Sequence, residues 1–145
     1  MRTQTLLFLG ALTLIHGSLS AQTCACSGTD QLKSPDVATA LSGSTVCVPD
    51  GSDWFWQEQH RGGATGGDLF DFKKGTNPID PTEKVGTWAT TGTATNSIVT
   101  HSYLGGSSFA YKVCRVGTST DYGFCPTAGG ATIMAKIKAG ISGCP

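Results

Sequence analysis

The chain has 145 residues, with ten basic and ten acidic side chains and only 14% charged residues overall. No run of Lys or Arg occurs, which excludes nucleic acid and an anionic membrane surface as partners of the kind that a basic patch recognises. The length supports one domain.

In chain order, Met1-Arg2-Thr3 is a short, positively charged start, residues 6–15 form an apolar stretch, and Ser18-Leu19-Ser20-Ala21 supplies small residues for cleavage. This pattern predicts a secretory signal over residues 1–21 and a single β-barrel-like domain over 22–145. The apolar stretch is shorter than the roughly 20 residues that span a bilayer, so membrane insertion is not expected and the product is placed as secreted or periplasmic. Arg2 leaves with the signal, so nine basic residues face ten acids and the net charge is about −1. His16 leaves too, and only His60 and His101 remain.

Cys24, Cys26, Cys47, Cys114, Cys125 and Cys144 make an even set. In an exported chain that reads as three disulfides, with 15 possible connectivities. Cys24 and Cys26 are too close to pair with each other, so each is expected to staple the N-terminal segment to a different strand. Their spacing is not that of a zinc knuckle.

One helix signal follows. Ser34 is its expected N-cap, Pro35 its first residue and Gly43 its stop, with Val37, Ala38, Ala40 and Leu41 between them. So short a helix forms only by packing on something else.

From Ser44 onward the pattern is strands and turns. Strands are predicted over residues 45–48, 54–61, 68–74, 85–90, 96–104, 109–115, 122–125 and 131–138. The longest polar connection is 75–84, where Pro78 and Pro81 bar a central strand. About eight short strands without a helix-length crossover predict an antiparallel meander. Curling it into a barrel removes the exposed edges. The expected fold is therefore an all-β, disulfide-stapled meander barrel with one short N-terminal helix.

The stretch 53–74 organises this pattern. It reads as two aromatic strands joined by the glycine-rich turn 62–67. Alternation places Trp54, Trp56, Glu58 and His60 on one face and Phe55, Gln57, Gln59 and Arg61 on the other. An apolar wall with a few convergent polar groups is the chemistry of a ligand pocket. The candidate ligand-binding residues are thus Trp54, Trp56, Glu58, His60 and Trp88. The partner they fit is a small molecule or carbohydrate, and no cofactor is assigned.

Other chemistries have weaker signals. Glu58 and His60 could form the acid/base pair of a hydrolase, but no Gly-x-Ser-x-Gly elbow is present and the disulfides claim every thiol. No catalytic residue is assigned. Glu58, His60 and His101 have the donor types of a two-histidine, one-carboxylate metal site, but spacing alone does not join them, and no metal is assigned. The expected function is a non-catalytic binding module. The alternative is a structural or interaction protein, acting through self-assembly or an exported protein partner.

The runs Leu41-Ser-Gly-Ser-Thr-Val-Cys-Val48, Trp56-Gln-Glu-Gln-His60, Gly67-Asp-Leu-Phe-Asp-Phe-Lys-Lys-Gly75, Pro78-Ile-Asp-Pro81 and Val85-Gly-Thr-Trp88 resemble a group of small exported bacterial proteins with no assigned activity. The resemblance covers about the first half of the mature chain and implies no catalytic residue. The meander with a Gly-x-Trp also looks loosely like lipocalin and avidin barrels. Those barrels place the motif on their first strand, whereas Gly86-Thr87-Trp88 lies mid-chain.

Overall fold

A computed structural model describes residues 26, 30–71, 82–117 and 120–145. The expected signal 1–21, Cys24 and most of the connection 75–84 lie outside the described residues.

Period-two alternation from Ser44 onward gives, among the described residues, eight strands: β1 (Ser44–Asp50), β2 (Asp53–Gly63), β3 (Gly66–Asp71), β4 (Glu83–Thr93), β5 (Asn96–Tyr103), β6 (Ser108–Arg115), β7 (Asp121–Pro126) and β8 (Ile133–Ala139). Each pairs antiparallel with the next, and β8 returns to β1, so the sheet is a closed barrel. Closure leaves no unpaired edge. The meander barrel expected from the sequence is the observed fold.

Inward positions carry the core. Val46, Leu69, Trp88, Val99, Tyr111, Val113, Phe124 and Ala135 are buried there, and Ile133, Ala135 and Ile137 face inward on β8 as expected. One correction concerns Glu83 and Lys84, read as part of the polar connection. They belong to β4 and pair with Asp71 and Phe70, and a register shift between Leu69 and Phe70 accommodates them. The second aromatic strand is described only to Asp71, so Phe72, Lys73 and Lys74 are outside the described residues.

The helix α1 (Asp36–Leu41) is present, but Ser34 does not cap it. Pro35 occupies the cap position, with no side-chain hydrogen bond there. Gly43 has a φ of 69°, the left-handed backbone that ends a helix and that glycine adopts without strain. Six residues cannot hold a helix alone. Val37, Ala38 and Leu41 are buried in the barrel core, each of the larger two gaining about 1.5–3 kcal/mol from burial.

The segment around α1 shuts one end of the barrel. Leu32 N donates to Val113 O at 2.8 Å and Gly43 N to His60 O at 2.8 Å, while Gln31 Nε2 donates to Ser97 O at 2.8 Å. The opposite end, where Val48, Trp56, Tyr103, Phe109 and Ile133 gather, stays open.

Two disulfides tie the ends of the chain to the wall. Cys26 joins Cys114 on β6 and Cys47 on β1 joins Cys144, with Cα separations of 5.7 and 5.9 Å. Cys125 is disulfide-bonded as well. The second bridge holds the C-terminal tail across the outer face of β1 and β2. Thr45 Oγ1 donates to Gly140 O and Ser142 O, Gln59 Nε2 to Ile141 O, and Cys144 N to Gln57 Oε1. These bonds explain why outward-facing Thr45, Gln57 and Gln59 are buried: their polar atoms are satisfied by tail backbone, as buried polar groups must be. Disulfides of this kind indicate an oxidising compartment outside the cytoplasm. Among the described residues no helix is long and apolar enough to cross a membrane.

Candidate functional site

β2 and β5 are separated around the barrel by β3 and β4, so inward residues on them meet across the lumen. β2 contributes Glu58 and His60; β5 contributes His101 and Tyr103. The intervening strands leave room: Leu69 and Gly86 lie between His60 and Tyr103 in the ladder.

The four side chains form one chain of contacts. Tyr103 OH donates to Glu58 Oε1 at 2.8 Å. The other carboxylate oxygen, Oε2, lies 3.2 Å from His101 Nδ1. His101 Nε2 lies 3.1 Å from His60 Nε2, and His60 Nδ1 lies 3.3 Å from the backbone carbonyl of Glu58. The expected Glu58–His60 pair is therefore indirect. The Glu58 carboxylate meets His101, and His60 touches only the Glu58 carbonyl.

The surroundings set the charges. Burial opposes the Glu58 charge, but the hydrogen bond to His101, the positive potential of both imidazoles and the Tyr103 hydroxyl together hold its carboxyl below the usual carboxylate range. Burial, reinforced by His101, lowers His60 to about 3, so this ring is neutral near pH 7. The Tyr103 phenol is raised by burial and by the negative charge of Glu58, and Tyr111 is raised in the same way.

Aromatic rings enclose the chain. His60 packs edge-on to Trp88 at 5.4 Å between centroids, and His101 packs against Tyr111 at 5.5 Å. Trp88 is buried beneath the site and is absent from the cavity lining. Its indole crosses β3 at Gly67, which sits between Trp88 and Gly62 in the ladder, and its Nε1 donates to Arg61 O at 3.1 Å.

Above this chain, toward the open end, lies a half-open cavity of about 50 Å³ lined by Val46, Val48, Trp56, Glu58, His101, Tyr103, Tyr111, Phe124 and Ile133. It is far smaller than the roughly 300–1,000 Å³ of a site that engulfs a drug-sized ligand. No protein-family model, curated protein or solved structure matches the chain. The site is therefore argued from its own geometry.

Of the sequence candidates, Trp56 and Glu58 line the cavity, while His60 and Trp88 lie behind it. Trp54 does not belong. A register shift after Val48 pairs Val48 with Trp56 but Pro49 with Trp54, so Phe55 is an extra residue and the alternation breaks there. Trp54 consequently faces outward, where its Nε1 donates to Pro145 O in the tail.

Sequence reasoning left out His101 as a binding residue, and Tyr103, Tyr111 and Phe124 with it. The alternation of Val99, His101 and Tyr103 was a signal that His101 points inward. What sequence lacked was the register that sets β5 across from β2.

Proposed function

We propose that the protein is an exported binding barrel that holds a small ligand by its polar tip without transforming it. The observation that carries this reading is the Glu58 carboxyl group, held by Tyr103 and His101, at the base of an otherwise largely apolar, aromatic-walled opening. A carboxylate oxygen accepts more than one hydrogen bond, so both Glu58 oxygens keep capacity for a ligand. The complementary tip carries a donor, such as an amine or a sugar hydroxyl. A cavity of about 50 Å³ admits only that tip. The rest of the ligand would lie against Trp56 and Phe109 at the rim, the stacking surface that sugars and flat rings use. The disulfides, together with the signal expected from the sequence, support export.

Native mass spectrometry on protein from its own host, purified without chelator, tests the reading. A stoichiometric organic adduct that disappears in Trp56→Ala and in Glu58→Gln is expected. A bare mass, unchanged after incubation with small amines and monosaccharides, would remove it.

A second reading has its own observation. The open end exposes Phe55 (60%), Trp56 (51%), Leu104 (74%) and Phe109 (49%), apolar surface of the kind that protein partners cover. A ladder of oligomers in the same spectrum would favour it.

A further inference from the structure

His60 and His101 turn their Nε2 atoms toward each other, 3.1 Å apart inside the barrel. Their other ring nitrogens face oxygens of one residue. His60 Nδ1 lies 3.3 Å from the Glu58 carbonyl, which can only accept, and His101 Nδ1 lies 3.2 Å from Glu58 Oε2. Among the described residues, Glu58, His60 and His101 bring ligand-type atoms within 4.8 Å of one another.

We propose that His60 Nε2 and His101 Nε2 are ligands of a divalent transition-metal ion of the imidazole-preferring class, Zn²⁺ or Cu²⁺. Glu58 then acts as a positioning residue for both rings, not as a ligand. Three observations support this assignment. First, metal-bound histidines almost always give their other N–H to a carboxylate or a backbone carbonyl; here one residue supplies both, the Glu58 carbonyl to His60 and its carboxylate to His101. Tyr103 pins that carboxylate from its far side. Second, the spacing fits. With Zn–N bonds of about 2.0–2.1 Å, nitrogens 3.1 Å apart subtend roughly 95–100° at the ion, close to a tetrahedral angle and leaving further positions open. Third, the adjoining cavity, lined by Glu58 and His101, has about 50 Å³, enough for roughly three to five waters at ~10–15 Å³ each. Water there can complete the coordination shell. This inference goes beyond the small-ligand reading and does not depend on it, since the ion would lie between His60 and His101, whereas the ligand would reach Glu58 from the cavity and lie against Trp56.

The test uses the full-length, disulfide-bonded protein, stripped with chelator and titrated with ZnCl₂ by calorimetry, alongside ¹⁵N-histidine NMR. One equivalent of Zn²⁺ is expected, with both Nε2 resonances moving while both Nδ1–H groups persist. His60→Gln and His101→Gln are expected to weaken binding more than 100-fold. Glu58→Gln, acting from outside the coordination shell, is expected to cost about 10–100-fold. Trp56→Ala is expected to leave Zn²⁺ binding unchanged, which separates this inference from the rim-ligand reading. No binding at millimolar Zn²⁺, binding that survives in both histidine variants, or a shift at Nδ1 would overturn the site. Loss in Glu58→Gln as complete as in the histidine variants would make Glu58 a ligand and overturn its positioning role. If a histidine variant fails to fold, the wild-type NMR titration decides.

Discussion

Trp54 and Trp56 are two residues apart, yet they lie on opposite faces of the barrel wall. Trp56 pairs with Val48 and lines the cavity, whereas Trp54 pairs with Pro49 and reaches the C-terminal tail. Their substitutions should therefore separate. Trp56→Ala is expected to weaken any rim ligand about tenfold or more, equivalent to ~1.4 kcal/mol, with little change in stability. Trp54→Ala should leave ligand affinity alone and lose about 0.5–1.5 kcal/mol of stability, the worth of its hydrogen bond to Pro145 O. Ligand titration and urea denaturation of both variants check this. Equal effects on affinity would mean that both rings face the ligand.

The tail is a strap held by one bridge. Removing the bridge with the double substitution Cys47→Ala and Cys144→Ala is expected to cost about 2–5 kcal/mol. It should also speed amide hydrogen exchange at residues 140–144, whose backbone meets Thr45, Gln57 and Gln59. Protected tail amides in that variant would show that side-chain hydrogen bonds alone hold the strap.

Gly67 and Gly63 offer a contrast within one hairpin. A Cβ at Gly67 would collide with the Arg61 carbonyl and Gly62 Cα, both backbone, whereas a Cβ at Gly63 meets nothing within 4 Å. Gly67→Ala is expected to destabilise by roughly 1–3 kcal/mol and Gly63→Ala by less than about 0.5 kcal/mol. Thermal melts of the two variants measure the difference. Similar melting temperatures would contradict the close approach of β2 and β3 at Gly67.

Tyr103 and Glu58 should be energetically coupled. A hydrogen bond to a buried carboxylate is worth about 1.5–3 kcal/mol, and this one is 2.8 Å long. A double-mutant cycle with Tyr103→Phe and Glu58→Gln, read by urea denaturation, is expected to return at least half of that as coupling. Additive effects would show that the two groups act independently.

Much of the fold was legible because turns and alternation are local. Ile133, Ala135 and Ile137 against Lys136 and Lys138 could be assigned to faces from sequence alone, and the spacing of glycine-containing turns gave the meander. The failures also had local causes that sequence does not mark. Nothing in Asp53-Trp-Phe-Trp-Gln identifies Phe55 as the extra residue of a bulge, so Trp54 was placed on the wrong face. Pro35 took the cap position although Ser34 has the side chain suited to it. The site was half legible. Glu58 and His60 share a strand and were found together, but His101 is 41 residues from His60 and joins it only because three successive strand pairings curve β5 around to face β2. That register is a property of the whole closed sheet, not of any segment.

Closure of the sheet also shapes how the chain must fold. β1 pairs with β8 through Ser44 and Ala139, Thr45 and Lys138, Val46 and Ile137, and Cys47 and Lys136, so closure joins the two strands that lie farthest apart in sequence. Such non-local pairing pays loop entropy before any contact rewards it and places barrels among slow folders. Until β8 docks, any partly built sheet has a bare edge at β1, open to pairing with another chain. A nascent chain lacking its last strand therefore carries an edge that another chain could cover, and docking of β8 closes the sheet on itself.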